Sequence, residues 1–321
     1  MYILHYTFYI KMFAFFGTSP RSAVFLDQAI QNGLQVDLVV SAPPKPVGKK
    51  QILTENPVVS LAKKLNLSFL SNLSNLSDLK NLDIGLILDF NQIISNEIIN
   101  LFLKGIINIH FSKLPQYRGP APVQYTILNG DKEAWITYYL INEKLDAGQI
   151  LTQTSLPLDL TENTETLYQK LIEKSAGEIS GILENYTSGH LTPQLQDGPP
   201  SNTHKLTTEN CKIDWQKSPD EIDRLIRAAY PEPTAWTDVL LHGNITQPSS
   251  RPNAESGGIP FPECKRKGFL DSARNDNKYR LKVLEAHIEN GQLILDIVQL
   301  EGKNPVTWKQ FQQGHPFFSV F

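Results

Sequence analysis

The chain has 321 residues, 40% of them hydrophobic and 20% charged, with 19 Gly and 21 Pro, the profile of a folded protein of two domains and not of a short peptide, a collagen-like chain or a disordered tail. Thirty Lys and Arg against 33 Asp and Glu leave a net charge of -3, so no field of the whole molecule draws in polyanions and any nucleic acid must be held by a local patch. Two cysteines, Cys211 and Cys264, are too few for a disulfide scaffold and lack the paired spacing of a zinc site, which fits a reducing cytoplasm.

The segment from Met1 to Phe16 is aromatic and carries His5 and Lys11; it has neither the basic start and clean apolar run of a signal peptide nor the length of a membrane span. From Met12, MFAFFGTS reads as a strand stopped by Gly17 and Thr18, and PRSAVFLDQAIQNG as a helix with Ala23, Leu26 and Ile30 on one face, closed by Gly33. VDLVV (residues 36–40) is an apolar run without alternation, as in a strand covered on both faces. A Pro/Lys loop, a helix over 57–65, the strand IGLIL (84–88), a helix over 97–102 and the strand GIINIH follow. Strand and helix alternate, which predicts a parallel sheet with helices on both faces.

Residues 167–186 have helical spacing, and the Pro/Gly/Ser/Thr-rich stretch after them places a linker at 189–204, between a first domain at 1–188 and a second at 205–321. In the second, residues 218–229 read as a helix opened by Ser-Pro-Asp, and YRLKVLEAHIENGQLILDIVQL as two strands joined by Asn290-Gly291, a hairpin signal. Residues 243–277 lack periodicity and read as an insertion.

Asn108 and His110 lie two apart at a strand end, so the pleat turns both side chains to one face. Ligands of open parallel sheets bind beyond the carboxyl ends of the strands; taken alone, the pair also fits a strand end capped by two solvated side chains. The Pro/Gly-rich loop HFSKLPQYRGPAP, with Ser112, Tyr117 and Arg118, and the turn LDAGQIL, with Asp146, give the pair its company. An amide, an imidazole and a carboxylate together suit acyl transfer to an amine: amide and imidazole N–H groups donate to the oxygen of a tetrahedral intermediate, while the carboxylate orients the imidazole and relays a proton. No His/Cys/carboxylate cluster has metal-ligand spacing, so no metal is implied.

NIHFSKLPQYRGPAP followed by LDAG closely resembles the formyltransferases that use 10-formyltetrahydrofolate. The resemblance implies a catalytic set of Asn108, His110 and Asp146, a first-strand motif at FFGTS, and a folate pocket lined by Phe90, Asn91, Gln92, Ile93 and Ile94 of DFNQIIS with Ser112, Leu114 and Pro115. KLTTENCKIDWQKSPDEIDRLIRAAYPEPTAW and LEGKNPVTWKQFQQGHP resemble the C-terminal domain of the methionyl-tRNA branch of that family. The fold implied is α/β, a Rossmann-like formyltransferase domain with a parallel-rich sheet, followed by a smaller OB-like β-barrel. The implied partners are the folate and initiator methionyl-tRNA, with a cytoplasmic monomer as the working form and no membrane. Enzymes that formylate an aminosugar nucleotide share part of the second domain and are the alternative; a catalytically impaired tRNA-binding homologue is a second.

In that branch a basic loop after the second strand enters the acceptor stem, which here falls on Lys45, Lys49 and Lys50; Arg118 and the basic run Lys265, Arg266, Lys267 are the other implied tRNA contacts. From Cys264 to Lys282 there are seven positive charges against Asp271 and Asp276, which also fits a solvated insertion. The chain departs from the family's pattern at Asn91 (usually Gly), Ser95 (usually Pro) and Arg21 (usually aromatic), and the lysine loop is a residue short and has no arginine. Residues 1–11 precede the resemblance; either Met12 is the expected start or residues 1–11 are a loose extension.

Overall fold

The computed structural model describes residues 12–48, 50–73, 79, 82–241, 277–316 and 318–320. In chain order the elements are β1 (Phe13–Phe16), α1 (Pro20–Gln31), β2 (Leu38–Val40), β3 (Lys45–Val47), β4 (Ile52–Thr54), α2 (Pro57–Lys64), β5 (Phe69–Leu70), β6 (Ile84–Ile87), α3 (Asn96–Ile99), β7 (Ile106–His110), α4 (Pro122–Asn129), β8 (Glu133–Leu140), β9 (Ile150–Pro157) and α5 (Thr164–Thr187). They are followed by α6 (Pro219–Ala229), β10 (Ala235–Leu241), β11 (Asn277–Glu289), β12 (Gln292–Leu300), β13 (Val306–Thr307), α7 (Trp308–Gly314) and β14 (Phe318–Val320). The chain divides into two units: the described residues up to Asn210 with Arg227–Pro233, and Cys211–Ile226 with those from Thr234 onward.

The first unit is built on a seven-stranded sheet of order β5-β2-β1-β6-β7-β8-β9. Pairing is parallel from β5 through β7 and antiparallel from β7 to β9, so the parallel sheet expected from the alternation of elements is a mixed one. The sheet turns mixed at β8, which returns antiparallel beside β7 after α4, and stays so at β9, joined to β8 by nine residues without a helix, too few for a parallel crossover. Successive residues of β1 feed opposite cores: Phe13 and Phe15 join a cluster with Phe25, Leu26, Leu86, Ile107 and Ile179, while Ala14 and Phe16 join Val40, Ile87, Phe102 and Ile106. Burial on both faces is why these strands read as unbroken apolar runs, each fully buried Phe, Leu or Ile contributing about 1.5–3 kcal/mol.

Helix α1 starts where Ser19 and Ser22 close a reciprocal capping box and Pro20 pre-sets the first turn. Helix α3 ends at Ile99, short of the Phe102 expected from spacing. There the chain tightens through bonds from Leu101 N to Ile98 O and from Phe102 N to Ile99 O, and Phe102 turns into the second core. The bond from Lys104 N to Asp83 O (2.8 Å) then returns it to β7. The Pro/Lys loop is a two-stranded hairpin, Lys45 paired with Thr54 and Val47 with Ile52.

The second unit carries a five-stranded antiparallel sheet of order β13-β12-β11-β10-β14. Asn290 (φ 51) and Gly291 (φ 77) make the β11–β12 turn, both in the left-handed region that this tight hairpin requires. Among the described residues no helix is long and apolar enough to cross a membrane.

Candidate active site

The strand order reverses direction at β1, where β2 leaves on one side and β6 on the other. This is the place at which an open α/β sheet opens a crevice beyond its strand ends. Phe16 pairs with Ile87, and Ile87 with Asn108, so the ends of β1, β6 and β7 are level and the loop starting at Asp89 leaves beside Asn108. Asn108 and His110 share one face of β7, as the pleat demands. Across the antiparallel pair, Tyr139 lies opposite Asn108 and Thr137 opposite His110.

Three side chains form a directed chain of hydrogen bonds. Asn108 Nδ2 donates to the Tyr139 hydroxyl (2.8 Å), and that hydroxyl donates to Asp146 Oδ1 (2.7 Å). Burial and the charge of Asp146 push the Tyr139 phenol well above its ordinary pKa, so it stays protonated and serves as a donor. The second carboxylate oxygen, Asp146 Oδ2, accepts from Gly119 N at 2.7 Å and faces His110 Nδ1 at 3.8 Å. The other ring nitrogen, His110 Nε2, donates to the Tyr117 carbonyl at 2.9 Å, which requires a proton on that nitrogen. His110 is 7% and Asp146 6% exposed, so the charge sits where water screens it little.

The turn that aims Asp146 is constrained by its glycine. Asp146 has φ 49, and a Cβ on Gly148 would stand 1.6 Å from the Leu140 carbonyl oxygen; only glycine lets the turn close over the end of β8. Gly119 (φ +108) is held similarly, a Cβ there meeting Thr203 O at 2.7 Å.

The stretch expected as a linker, 189–204, is laid onto this unit and braces the site. Gln194 and Ile150 exchange backbone bonds of 2.7 and 2.8 Å. Gln196 Nε2 donates to Asp146 O (2.8 Å) and Gly148 O (2.9 Å), and its Oε1 accepts from Arg118 Nη2 at 2.5 Å. Ser201 Oγ accepts from Tyr117 N (2.8 Å), and Thr203 N donates to Arg118 O (2.7 Å). Tyr139, Gln196, Ser201 and Thr203 were not signalled by motif or spacing: Tyr139 sits in the apolar run of β8, and the other three in a polar stretch that resembles any loop.

The remaining candidate residues fall as follows. Phe90 packs edge-on against Phe16 (5.6 Å), Ile93 is 95% exposed, and Asn91 N donates to Thr18 Oγ1 (3.1 Å). Main-chain groups of Gln92, Ile93 and Ile94 have no partner among the described residues. Ser112 is buried with its hydroxyl on Gln116 O (2.6 Å), closing the loop on itself, while Leu114 and Pro115 line a cavity of about 410 Å³ with Gln153 and Gln194. The guanidinium of Arg118 lies on Gln196. Lys45 and Lys50 are exposed on the hairpin with Ile52 and Leu53; Lys49, Lys265, Arg266 and Lys267 lie outside the described residues. Farther along the basic segment, Lys278 Nζ bonds Asp238 (3.1 Å) and Arg280 stacks on Trp236 (4.3 Å). Arg21, which departs from the family's pattern, stacks on the Tyr168 ring at 3.7 Å.

The chain matches the formyl transferase family over residues 11–180 and the formyl transferase C-terminal domain over residues 205–258. It is 34% identical over 315 residues to the methionyl-tRNA formyltransferase of Bacillus cereus (strain B4264), covering 94% of each chain. Among solved structures it is similar to a methionyl-tRNA formyltransferase from Clostridium thermocellum, with a TM-score of 0.55 and 18% identity over 90% of this chain and 98% of that one. It is also similar to an N-formyltransferase from Helicobacter canadensis in complex with folinic acid and dTDP-3-aminofucose, with a TM-score of 0.53 and 21% identity over 67% of this chain and 79% of that one. At these identities the two structures speak for the fold alone.

Proposed function

The chain belongs to the formyl transferase family, and from that premise we propose that it moves the formyl group of 10-formyltetrahydrofolate to the free α-amine of methionine carried on initiator tRNA, in the cytoplasm and as a monomer. The observation that carries the chemistry is the convergence of half-buried Asn108 with buried His110 and Asp146 at the carboxyl end of β7, beside the crevice at the strand ends. The acceptor follows from the relative that matches over 94% of the chain and is a methionyl-tRNA formyltransferase.

Attack is direct: the amine nitrogen bonds to the formyl carbon, the carbonyl oxygen becomes an oxyanion, and its collapse expels the folate nitrogen, which takes the electron pair of the broken C–N bond and a proton in place of the one the amine sheds. Asn108 has one amide hydrogen beyond the one given to Tyr139 and offers it to the oxyanion, and His110 is the second donor once its Nε2–H turns from the Tyr117 carbonyl to the substrate. Asp146 holds His110 and assists removal of the ammonium proton from the attacking nitrogen. The 3.8 Å separation of His110 and Asp146 suits a pair that tightens when substrate arrives. Holding both substrates in one crevice makes the attack effectively intramolecular, a contribution of up to about 7–11 kcal/mol in well-oriented cases.

The folate fits the loop after β6. The main-chain groups of Gln92–Ile94, without a partner among the described residues, suit the donor and acceptor edge of a pterin, and Phe90 with Phe16 supplies an apolar side. On the hairpin, Lys45 and Lys50 offer point charges to the acceptor-stem phosphates, with Lys49 as the third lysine of that stretch of sequence. The test is transfer of labelled formyl with charged initiator methionyl-tRNA, charged elongator methionyl-tRNA and an aminosugar nucleotide offered in parallel. Label on the initiator species alone supports the reading; label on the sugar, or nowhere, overturns it.

A further inference from the structure

We propose that Tyr139 is a positioning residue of this formyl transfer, setting which end of the Asn108 amide faces the reacting carbonyl; the inference rests on the reaction assigned above. A carboxylate at neutral pH only accepts hydrogen bonds. Since Tyr139 OH stands 2.7 Å from Asp146 Oδ1, the phenol must donate there. Its own oxygen is then left to accept, and at 2.8 Å the neighbouring atom of Asn108 must be the NH2 group and not the carbonyl. One phenol therefore fixes an amide orientation that would otherwise be free to turn over.

The consequence is chemical. With the NH2 anchored on Tyr139, the amide keeps one rotamer and its second N–H has a defined direction toward the crevice. If the amide turned over, a carbonyl oxygen would face the developing oxyanion and repel it. Among the described residues the same phenol supplies one of the two hydrogen bonds to the Asp146 carboxylate, the other coming from Gly119 N, so the two residues at the ends of the chain are placed relative to each other by the residue between them. The cross-strand register sets this up, since Tyr139 is directly opposite Asn108. Its neighbour Tyr138 points the other way, to Glu178 Oε2 at 3.0 Å, and provides an internal control of the same size, burial and strand.

The experiment compares wild type, Tyr139→Phe and Tyr138→Phe in steady-state formyl transfer to charged initiator tRNA, with thermal unfolding of each. Tyr139→Phe keeps the ring and loses only the hydroxyl. The result expected is a kcat lower by roughly 10- to 100-fold, the scale of one lost hydrogen bond to a charged group, with KM for both substrates within about twofold. Tyr138→Phe should keep its kcat within about twofold. Equal losses in both variants, or a Tyr139→Phe kcat within about twofold of wild type, would overturn the proposal. The contact is also read without turnover, from the side-chain amide resonances of Asn108 in selectively 15N-labelled protein. A shift and faster hydrogen exchange in Tyr139→Phe, absent in Tyr138→Phe, support the anchoring, and unchanged resonances refute it. A wild type that transfers no formyl would instead sink the assigned reaction, so the two failures are distinguishable.

Discussion

Gly148→Ala is the perturbation that most sharply tests how the Asp146 turn is held. The added methyl would lie 1.6 Å from the Leu140 carbonyl oxygen, and to reach the 3.0 Å that real Cβ atoms observe, something must move by about 1.4 Å. The carbonyl belongs to β8, a strand paired on both edges within the seven-stranded sheet, so the displacement falls on the turn. That turn carries Asp146, whose bonds to Gly119 N and Tyr139 OH are both 2.7 Å and do not survive a shift of that size. A misplacement of about 1 Å at a reacting group costs about 100-fold in rate, and overpacking a filled site costs about 1–3 kcal/mol in stability. The assay is single-turnover formyl transfer beside thermal unfolding, with Gly181→Ala as the control. Gly181 lies in α5 with open space around a Cβ, so alanine there should stabilise by up to about 1 kcal/mol and leave the rate alone. A Gly148→Ala enzyme that turns over within about twofold of wild type would refute the reasoning.

Neutralising Lys45 and Lys50 together should weaken tRNA binding and lower the slope of log K against log salt by roughly 1.5 if each lysine meets one phosphate; filter binding over a salt series checks it, and an unchanged slope removes the hairpin from the interface. Gln196→Ala leaves Asp146 O, Gly148 O and the Arg118 guanidinium without their shared partner. It should cost about 1–3 kcal/mol in denaturant unfolding and depress kcat more than KM. Burial pushes the Cys211 thiol up to about 11, so at pH 8 the native protein should leave Cys211 unmodified by iodoacetamide while urea-unfolded protein is alkylated, as read by peptide mass spectrometry.

The strands buried on both faces and the capped helices were legible because their signals are local: Ser19-Pro20 opens α1, Asn290-Gly291 turns the hairpin, and the apolar run at 84–88 has no polar side to show. Asn108 and His110 were legible as a pair because a period of two is fixed within one strand. What spacing does not carry is register between strands. Tyr139 in EAWITYYL reads as one more core residue, and only the antiparallel pairing of β7 with β8 sets it against Asn108. The direction of β8 likewise hides in the sequence, since no local pattern announces that after α4 the chain will return antiparallel beside β7 and not cross over to run parallel to it. The role of 189–204 was hidden for the opposite reason: its polar composition is that of a slack connector, yet Gln196, Ser201 and Thr203 spend their side chains on the loops of the candidate site.

The most direct test of the central claim is rapid-quench formyl transfer by Asp146→Asn, with initiator tRNA binding measured on the same preparation. Asparagine keeps the shape of the side chain and removes its charge, so the tRNA Kd should be unchanged within about twofold while the chemical step slows by about 100- to 10,000-fold, the scale of general acid–base catalysis. A chemical step within about twofold of wild type would contradict the assignment of Asp146, and with it the site built around Asn108, Tyr139 and His110.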